Sequence, residues 1–188
     1  MYIKVDSLAL LNSFNEIWMD CWLEKGFVLE NEDIQSDRFI ITDAQNQNVG
    51  TIEFKPYSLD SQNNINTVFP FHSVEYLTSN PSAVVEIDKV AILKQYRGKN
   101  LERLLSVFVE YTEQHNVEYC VVLLERVFYK ALRNVYKIPL QAVSDKIYYK
   151  GDYVIPSILF PKEIYQNKHM YSWIVKSQQE KKRKLIFT

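Results

Sequence analysis

The sequence predicts an α/β protein with a mixed sheet. Strand-like and helical patterns alternate along the chain, and in the second half β-branched runs are separated by amphipathic helices. Apolar residues make up 47% of the chain, which is ordinary for a globular protein. The length of 188 residues matches one domain, since domains usually run to roughly 100–200 residues. We therefore expect a single domain over residues 1–188.

The elements of the first half follow from periodicity and turn residues. A short strand at 1–5 precedes a helix that begins after Ser7 and ends at Lys25-Gly26, where apolar residues recur at helical spacing. Residues 38–54 read as a β-hairpin with a polar turn. Residues 55–83 form a long polar connection, and loops of that length are usually functional or poorly ordered.

The second half alternates more densely between strands and helices. Its predicted elements, in order, are a strand at 84–93, a turn at 95–100, a helix at 101–115, a strand at 117–124, a helix at 126–137, and strands at 140–149 and 153–160. The stripe expected on the helix at 126–137 consists of Val127, Phe128, Ala131, Leu132 and Val135.

Composition excludes several classes of function. A net charge of −1 gives no basic footprint for nucleic-acid binding. Cys21 and Cys120 lack CxxC spacing, and the scattered histidines form no metal-ligand pattern, so we expect no metal. No apolar run approaches the roughly 20 residues that span a bilayer, and the N-terminus lacks the apolar stretch of a signal peptide. We expect a cytoplasmic protein.

The turn QYRGKN at 95–100 carries the strongest chemical signal. It follows a strand and opens a helix, so backbone N–H groups at the positive end of the helix dipole can bind an anion. Gly98 allows a ligand to approach the backbone closely, and Arg97 and Lys99 add positive charge. An ordinary β-α turn with a solvated basic pair is the alternative.

The stretch VAILKQYRGKNLERLL at 90–105 resembles the acyl-CoA-binding motif of the GCN5-related N-acetyltransferase (GNAT) superfamily. Gln95 and Gly98 match that motif, while Asn100 replaces its final Gly or Ala. The resemblance implies a mixed, mostly antiparallel sheet of six to seven strands flanked by about four helices, and an acyl-CoA co-substrate. The residues it assigns to the donor are Val90, Ala91, Ile92, Gln95, Arg97, Gly98, Lys99, Asn100 and Leu101.

A second resemblance is to the autoinducer-synthase and N-acyl amino acid synthase branch of that superfamily. It is carried by VGT at 49–51, by EIDKVA at 86–91, and by LRNVYKIPL at 132–140 followed by YKGD at 149–152. That branch transfers acyl groups from acyl carrier protein or CoA to an amino acid or its derivative. Glu53 and the pair Asp88-Lys89 depart from its pattern, which often has Arg and Ser-Arg there.

Two carboxylates on the strand at 84–93 are candidate bases. By the period of two, Glu86 and Asp88 share a face with Val90 and Ile92. Transfer to an ammonium needs a base, and the resemblance implies a carboxylate on this strand, so Glu86 is the first candidate and Asp88 the second. A surface carboxylate paired with a neighbouring lysine is the alternative for each.

The resemblance also implies a tyrosine acid that protonates the departing thiolate. Tyr136 begins the segment YKIPL, which is similar to the superfamily's Tyr-x-x-x-Gly-Phe but one residue shorter. Tyr129 lies two turns earlier on the same helix and is the second candidate. Either tyrosine has the alternative role of a packing residue.

Three functions remain open from the sequence. The first is N-acyltransfer from acetyl-CoA or another acyl-CoA to a small-molecule primary amine. The second is an acyl-carrier-protein-dependent N-acyl amino acid synthase, and the third is an inactive domain that binds CoA or a protein partner. A homodimer is open as well. The basic tail 176–188 is a solvated helix end, with docking of an acidic carrier protein as the alternative.

Overall fold

A computed structural model describes residues 2–29, 35–98 and 100–175. One open sheet in these residues contains eight strands in the order β1-β2-β3-β4-β5-β8-β6, with β7 also paired to β8. The strands are β1 (Tyr2–Lys4), β2 (Asp37–Thr42), β3 (Asn48–Pro56), β4 (Val84–Ile92), β5 (Tyr119–Glu125), β6 (Leu140–Ala142), β7 (Ile147–Tyr149) and β8 (Asp152–Leu159). Only β4 and β5 pair in parallel among them, so the expected mixed, mostly antiparallel sheet is confirmed.

The strand count exceeds the expected six to seven because one predicted segment is divided. Residues 140–149 form β6 and β7, which pair with opposite ends of β8. The α-helices of the described residues are α1 (Leu8–Glu24), α2 (Asn64–Val68), α3 (Glu75–Thr78), α4 (Leu101–Gln114), α5 (Arg126–Lys130) and α6 (Pro161–Gln166). Ser7 is the N-cap of α1, as its position before the apolar stripe predicts.

The long connection at 55–83 is better ordered than the sequence indicates. It contains α2, α3 and two short 3₁₀ turns, and its apolar side chains Ile65, Phe71 and Leu77 are buried against the sheet. Tyr57 donates a hydrogen bond to Asn66 Oδ1, 2.8 Å away, which fixes the start of the connection. This segment therefore forms a cover over the sheet.

The two faces of the sheet carry separate parts of the core. On one face, α1 packs over Ile40 and Ala91, while the 57–77 connection packs over Val84 and Val121. On the other face, α4, α6 and the following chain pack over the largest apolar cluster, which includes Phe54 and Ile87. Neighbouring strand residues alternate between these clusters, as the period of a strand requires.

The helix predicted at 126–137 changes its geometry halfway. α5 ends at Lys130, and Ala131–Val135 form a π-helical turn. Leu132 is buried as expected, but Val127 and Val135 are exposed. The π turn rotates the residues after Lys130 away from the α-helical stripe, which accounts for Val135, whereas Val127 precedes the turn. Single π turns often occur at functional sites.

Candidate active site

The parallel strands β4 and β5 separate to form a cleft. They pair only at Val84–Tyr119, Val85–Cys120 and Glu86–Val121. Beyond these pairs, the rest of β4 and the residues from Val122 to Glu125 face a cavity of about 440 Å³. Because this gap leaves parts of both strand edges unpaired within the sheet, it offers backbone groups to a ligand.

A β-bulge shapes the β4 side of this cleft. Thr51 lies opposite Ala91 but Glu53 opposite Asp88, so β4 contains one extra residue between the two pairs. Lys89 takes a left-handed φ of 46° there, and its carbonyl accepts a 2.7 Å hydrogen bond from Thr51 Oγ1. Bulges often occur next to active sites, where they change the direction of a side chain.

The bulge corrects one expectation about β4. Glu86 and Asp88 do not share a face with Val90 and Ile92, because the extra residue shifts the alternation by one position. Val90 and Ile92 pack against the α4-side cluster, whereas Ala91 packs against α1. The two carboxylates instead lie on the α1 face, paired with side chains of β3.

The turn after β4 presents the N-terminus of α4 to the cavity. Gly98 has a φ of 88°, and a Cβ built there would meet no heavy atom within 4 Å. Asn100 is the N-cap of α4 but makes no side-chain capping bond, and its Nδ2 donates to Tyr96 O at 3.0 Å. The first-turn N–H groups therefore receive no cap from this side chain, and the helix dipole favours an anion beside them.

Arg97 is held by protein partners in this turn. Its Nε donates to Ile92 O at 3.1 Å, and Nη1 and Nη2 donate to the two carboxylate oxygens of Glu24 at 3.2 and 2.8 Å. The hydrogen bond from Arg97 holds the pKa of Glu24 below its usual range. The last turn of α1 is thus bonded to the turn that opens α4.

The predicted donor residues divide into those that line the cavity and those that do not. Gln95 is exposed in a 3₁₀ turn, Asn100 is buried behind the turn, and Lys99 lies outside the described residues. The others line the cavity, namely Val90, Ala91, Ile92, Arg97, Gly98 and Leu101. The cavity therefore brings the bulged strand and the Gly98 turn to one ligand-sized space.

A sealed charged cluster surrounds Glu53 on the α1 face. The carboxylate of Glu53 is fully buried and lies 2.6 Å from both Lys89 Nζ and Arg38 Nε. It also accepts a 2.6 Å hydrogen bond from Ser36 Oγ. The Lys89 ammonium lies 5.4 Å from the ring centre of Trp18, which adds a cation–π contact. Lys89 also lines the cavity, whereas Glu53, Arg38 and Ser36 do not, and we call this set the sealed cluster because its carboxylate is closed off from the cavity.

A second charged cluster opens onto the cavity. Lys55 Nζ lies 2.6 Å from Asp88 Oδ2 and 3.4 Å from Glu86 Oε1, and all three residues line the cavity. Burial raises the pKa of Asp88, but Lys55 and Lys89 outweigh it, so the net pKa lies below the ordinary value. We call Lys55, Glu86 and Asp88 the open cluster.

Neither candidate tyrosine is among the residues that line the cavity. Tyr136 follows the π turn, its carbonyl accepts a 2.9 Å hydrogen bond from Trp173 Nε1, and its ring lies edge-on to that indole. Burial, and then the charge of Glu102, raise the pKa of Tyr136. Tyr129 accepts a 3.1 Å hydrogen bond from Arg133 on the exposed side of the turn.

Sequence reasoning missed Lys55 and Lys89 as site residues. A signal for Lys55 existed, because Glu53 and Lys55 alternate with the apolar Ile52 and Phe54, which puts both charges on one face. No comparable signal marks Lys89, since its direction depends on the bulge. The sequence also did not predict that Trp22, Phe27 and Tyr149 contribute aromatic side chains to the lining of the cavity.

The remaining reactive side chains carry little chemistry. Cys120 is completely buried, and burial raises the pKa of its thiol, which suits a packing role. Cys21 lines the cavity, and burial raises its pKa too.

In the described part of the chain, no group of three or more His, Cys, Asp or Glu side chains could hold a metal ion, and no helix is long and apolar enough to cross a membrane. The basic tail 176–188 lies outside the described residues.

Solved structures with this arrangement define the class of fold. The protein resembles FeeM, an N-acyl amino acid synthase from uncultured soil microbes, with a TM-score of 0.69 at 10% identity over 87% of this chain and 91% of that one. It also resembles the AHL synthase LasI, with a TM-score of 0.67 at 12% identity over 89% and 95% of the two chains. No protein-family model matches the sequence, and a search of curated proteins gives no match either.

The GNAT-like fold expected from the Gly98 motif is therefore confirmed, in the form found in the autoinducer-synthase branch. A CoA-dependent acyl-homoserine lactone synthase, BjaI, solved with SAM and isopentyl-CoA, shares it with a TM-score of 0.61 at 10% identity over 93% of this chain and 90% of that one. At these identities the likeness concerns the fold, and the chemistry has to be argued from this chain's own residues.

Proposed function

We propose that this protein is an N-acyltransferase that moves an acetyl or other short acyl group from acyl-CoA to a small-molecule primary amine. The observation that carries the proposal is one cavity that joins the separated strands β4 and β5, the turn at Gly98 and the open cluster. These three features supply an edge for the pantetheine arm, an anion site for the pyrophosphate and carboxylates for the acceptor amine. We propose further that all described elements form one domain, since one sheet contains every strand.

The donor binds along β4 in this proposal. The pyrophosphate lies against the backbone N–H groups at the start of α4, and the pantetheine arm runs beside Val90–Ile92. Gly98 supports this placement, because its left-handed φ and the open space around its Cα let a phosphate approach the backbone. A backbone N–H near the bulge then polarises the thioester carbonyl.

The reaction is a direct attack of the amine on the thioester. The acceptor's ammonium first gives a proton to Glu86, directly or through water, and its nitrogen then forms a bond to the carbonyl carbon. The nitrogen then loses its second proton to solvent as the carbon–sulfur bond breaks. The CoA thiolate takes a proton from an acid, for which Tyr136 is the first candidate and Tyr129 the second, and the resulting phenolate recovers a proton from solvent. Lys55 Nζ lies closer to the carboxylate of Asp88 than to that of Glu86. Glu86 is therefore the less neutralised of the two carboxylates, which favours it as the base.

The shape of the cavity favours a short acyl group. A second, entirely apolar void of about 20 Å³ shares Leu104, Val122 and Phe128 with the lining of the main cavity. That volume holds about one water-sized group. An acyl chain that extended in this direction would soon meet the packed side chains under α4.

An amine-dependent thiol-release assay tests the proposal. The wild-type chain is given acetyl-CoA and longer acyl-CoA donors with a panel of primary amines that includes free amino acids. We expect enzyme- and amine-dependent release of CoA, fastest with short acyl groups. CoA binding without turnover on any amine would instead indicate an inactive CoA-binding domain. Turnover only with an acyl carrier protein donor would indicate the carrier-protein-dependent synthase.

A further inference from the structure

Glu24 forms an ion pair with the guanidinium of Arg97, the residue that precedes Gly98 in the proposed anion site. Arg97 immediately precedes Gly98, and both residues line the cavity. The Arg97 side chain is 38% exposed and that of Glu24 33% exposed, so solvent and a ligand can reach the pair. Lys94 Nζ lies 3.6 Å from the same carboxylate, which draws a second cation of the turn towards α1.

This geometry sets up a competition between two anions. Arg97 uses its Nε and both terminal nitrogens on protein oxygens, so a phosphate at Gly98 cannot take a forked pair of bonds from it while Glu24 holds it. In addition, the negative charge of Glu24 lies beside the position that the phosphate would take, and like charges repel.

We propose that Glu24 is a positioning residue that competes with the donor's pyrophosphate for Arg97, and that donor binding transfers Arg97 from Glu24 to the phosphate. The proposal rests on the CoA site proposed above. It makes the end of α1 part of the donor site, although α1 lies more than 70 residues away from the Gly98 turn along the chain. An exposed ion pair is weak, so exchanging its partner is easy.

The test is calorimetric titration of CoA into wild type and Glu24→Gln at low and high salt. Since the variant removes the competing charge and leaves Arg97 in place, CoA should bind at least threefold more tightly at low salt, with a smaller gain at high salt. Pantetheine, which has no phosphate, should bind both proteins equally. Glu16→Gln removes the same charge from an exposed position of α1 and should not change CoA affinity.

A variant that also lacks the guanidinium identifies the route. Adding Arg97→Gln to Glu24→Gln should remove the gain in affinity, because the gain comes through Arg97. Weaker or unchanged CoA binding by Glu24→Gln, with tight binding by wild type, would overturn the inference and show that Glu24 only supports the turn. Failure of folded wild type to bind CoA would overturn the proposed donor site, and this inference with it.

Discussion

The sealed cluster and the open cluster both join a lysine to a carboxylate across β3 and β4, yet their carboxylates differ in access. Glu53 is completely enclosed and contacts Arg38, Lys89 and Ser36. In the open cluster, Asp88 lies opposite Glu53 and Glu86 lies opposite Lys55, and the Asp88 side chain is 25% exposed beside the cavity. The same chemistry is therefore structural in one place and available to a ligand in the other.

The difference shows that charge type alone does not locate a site on this sheet. The buried carboxylate of Glu53 is fully compensated by two cations and one hydroxyl donor, and removing one partner leaves an uncompensated buried charge. Two carboxylates that share one lysine beside a cavity can instead exchange their contacts with it for contacts with an incoming ammonium. Variants in each cluster can test this contrast, because they should change different properties of the protein.

The largest effect is expected at Glu86. Glu86→Gln should lower turnover by about 10²- to 10⁴-fold, the usual contribution of a general base. Affinity for the acyl donor should change much less, since Glu86 acts on the acceptor amine. Steady-state kinetics over a range of pH checks this, and the acidic limb of the profile should move. An unchanged profile and rate would assign Glu86 to structure.

The next effect concerns stability. Glu53→Gln should reduce the free energy of unfolding by about 3–5 kcal/mol, because Lys89 and Arg38 lose their buried counter-ion. The matched control is Glu113→Gln, which breaks the exposed pair with Lys168 and should cost less than about 1 kcal/mol. Urea unfolding measures both. Equal, small losses would mean that the sealed cluster does not stabilise the fold.

A smaller change in rate is expected at Tyr136. Tyr136→Phe should lower turnover by about tenfold, less than a typical acid, because a thiolate is already a good leaving group. Since the pKa of Tyr136 is raised, its hydroxyl is protonated at neutral pH, and any alkaline loss of rate from this group should occur at a higher pH than for an ordinary tyrosine. Full activity of Tyr136→Phe with loss in Tyr129→Phe would move the role to Tyr129.

The smallest effect is the pH dependence of the Lys55–Asp88 pair. Because the folded-state pKa of Asp88 lies below the ordinary value of about 3.9, the pair stabilises the fold fully above that pH and loses its effect as pH falls through the lowered pKa. The difference in unfolding free energy between wild type and Asp88→Asn should therefore be largest near neutral pH and shrink below about pH 4. A difference independent of pH would contradict an ionised Asp88.

The sequence predicts well the features that follow from local patterns, and it predicts poorly the features that depend on packing against distant parts of the chain. The hairpin at 38–54, the amphipathic face of α4 and the Gly98 turn follow from periodicity and turn residues, and all three are present. The bulge at Lys89 and the π turn after Lys130 leave no periodic signal, because each depends on packing against distant elements. For that reason the face of Val90, the exposure of Val135 and the direction of Lys89 could not be predicted from the sequence.

Calorimetric titration of CoA into wild type, Gly98→Val and Asn46→Val tests the donor site most directly. Gly98 and Asn46 both have a left-handed φ, 88° and 62°, so valine strains the backbone at either position. Asn46 is exposed in the turn between β2 and β3 and does not line the cavity, so only Gly98→Val places a branched side chain where the pyrophosphate approaches. We predict at least tenfold weaker binding, about 1.4 kcal/mol, for Gly98→Val and near-wild-type affinity for Asn46→Val, with circular dichroism confirming that both fold. Equal affinity in all three proteins, or no CoA binding by folded wild type, would contradict the account.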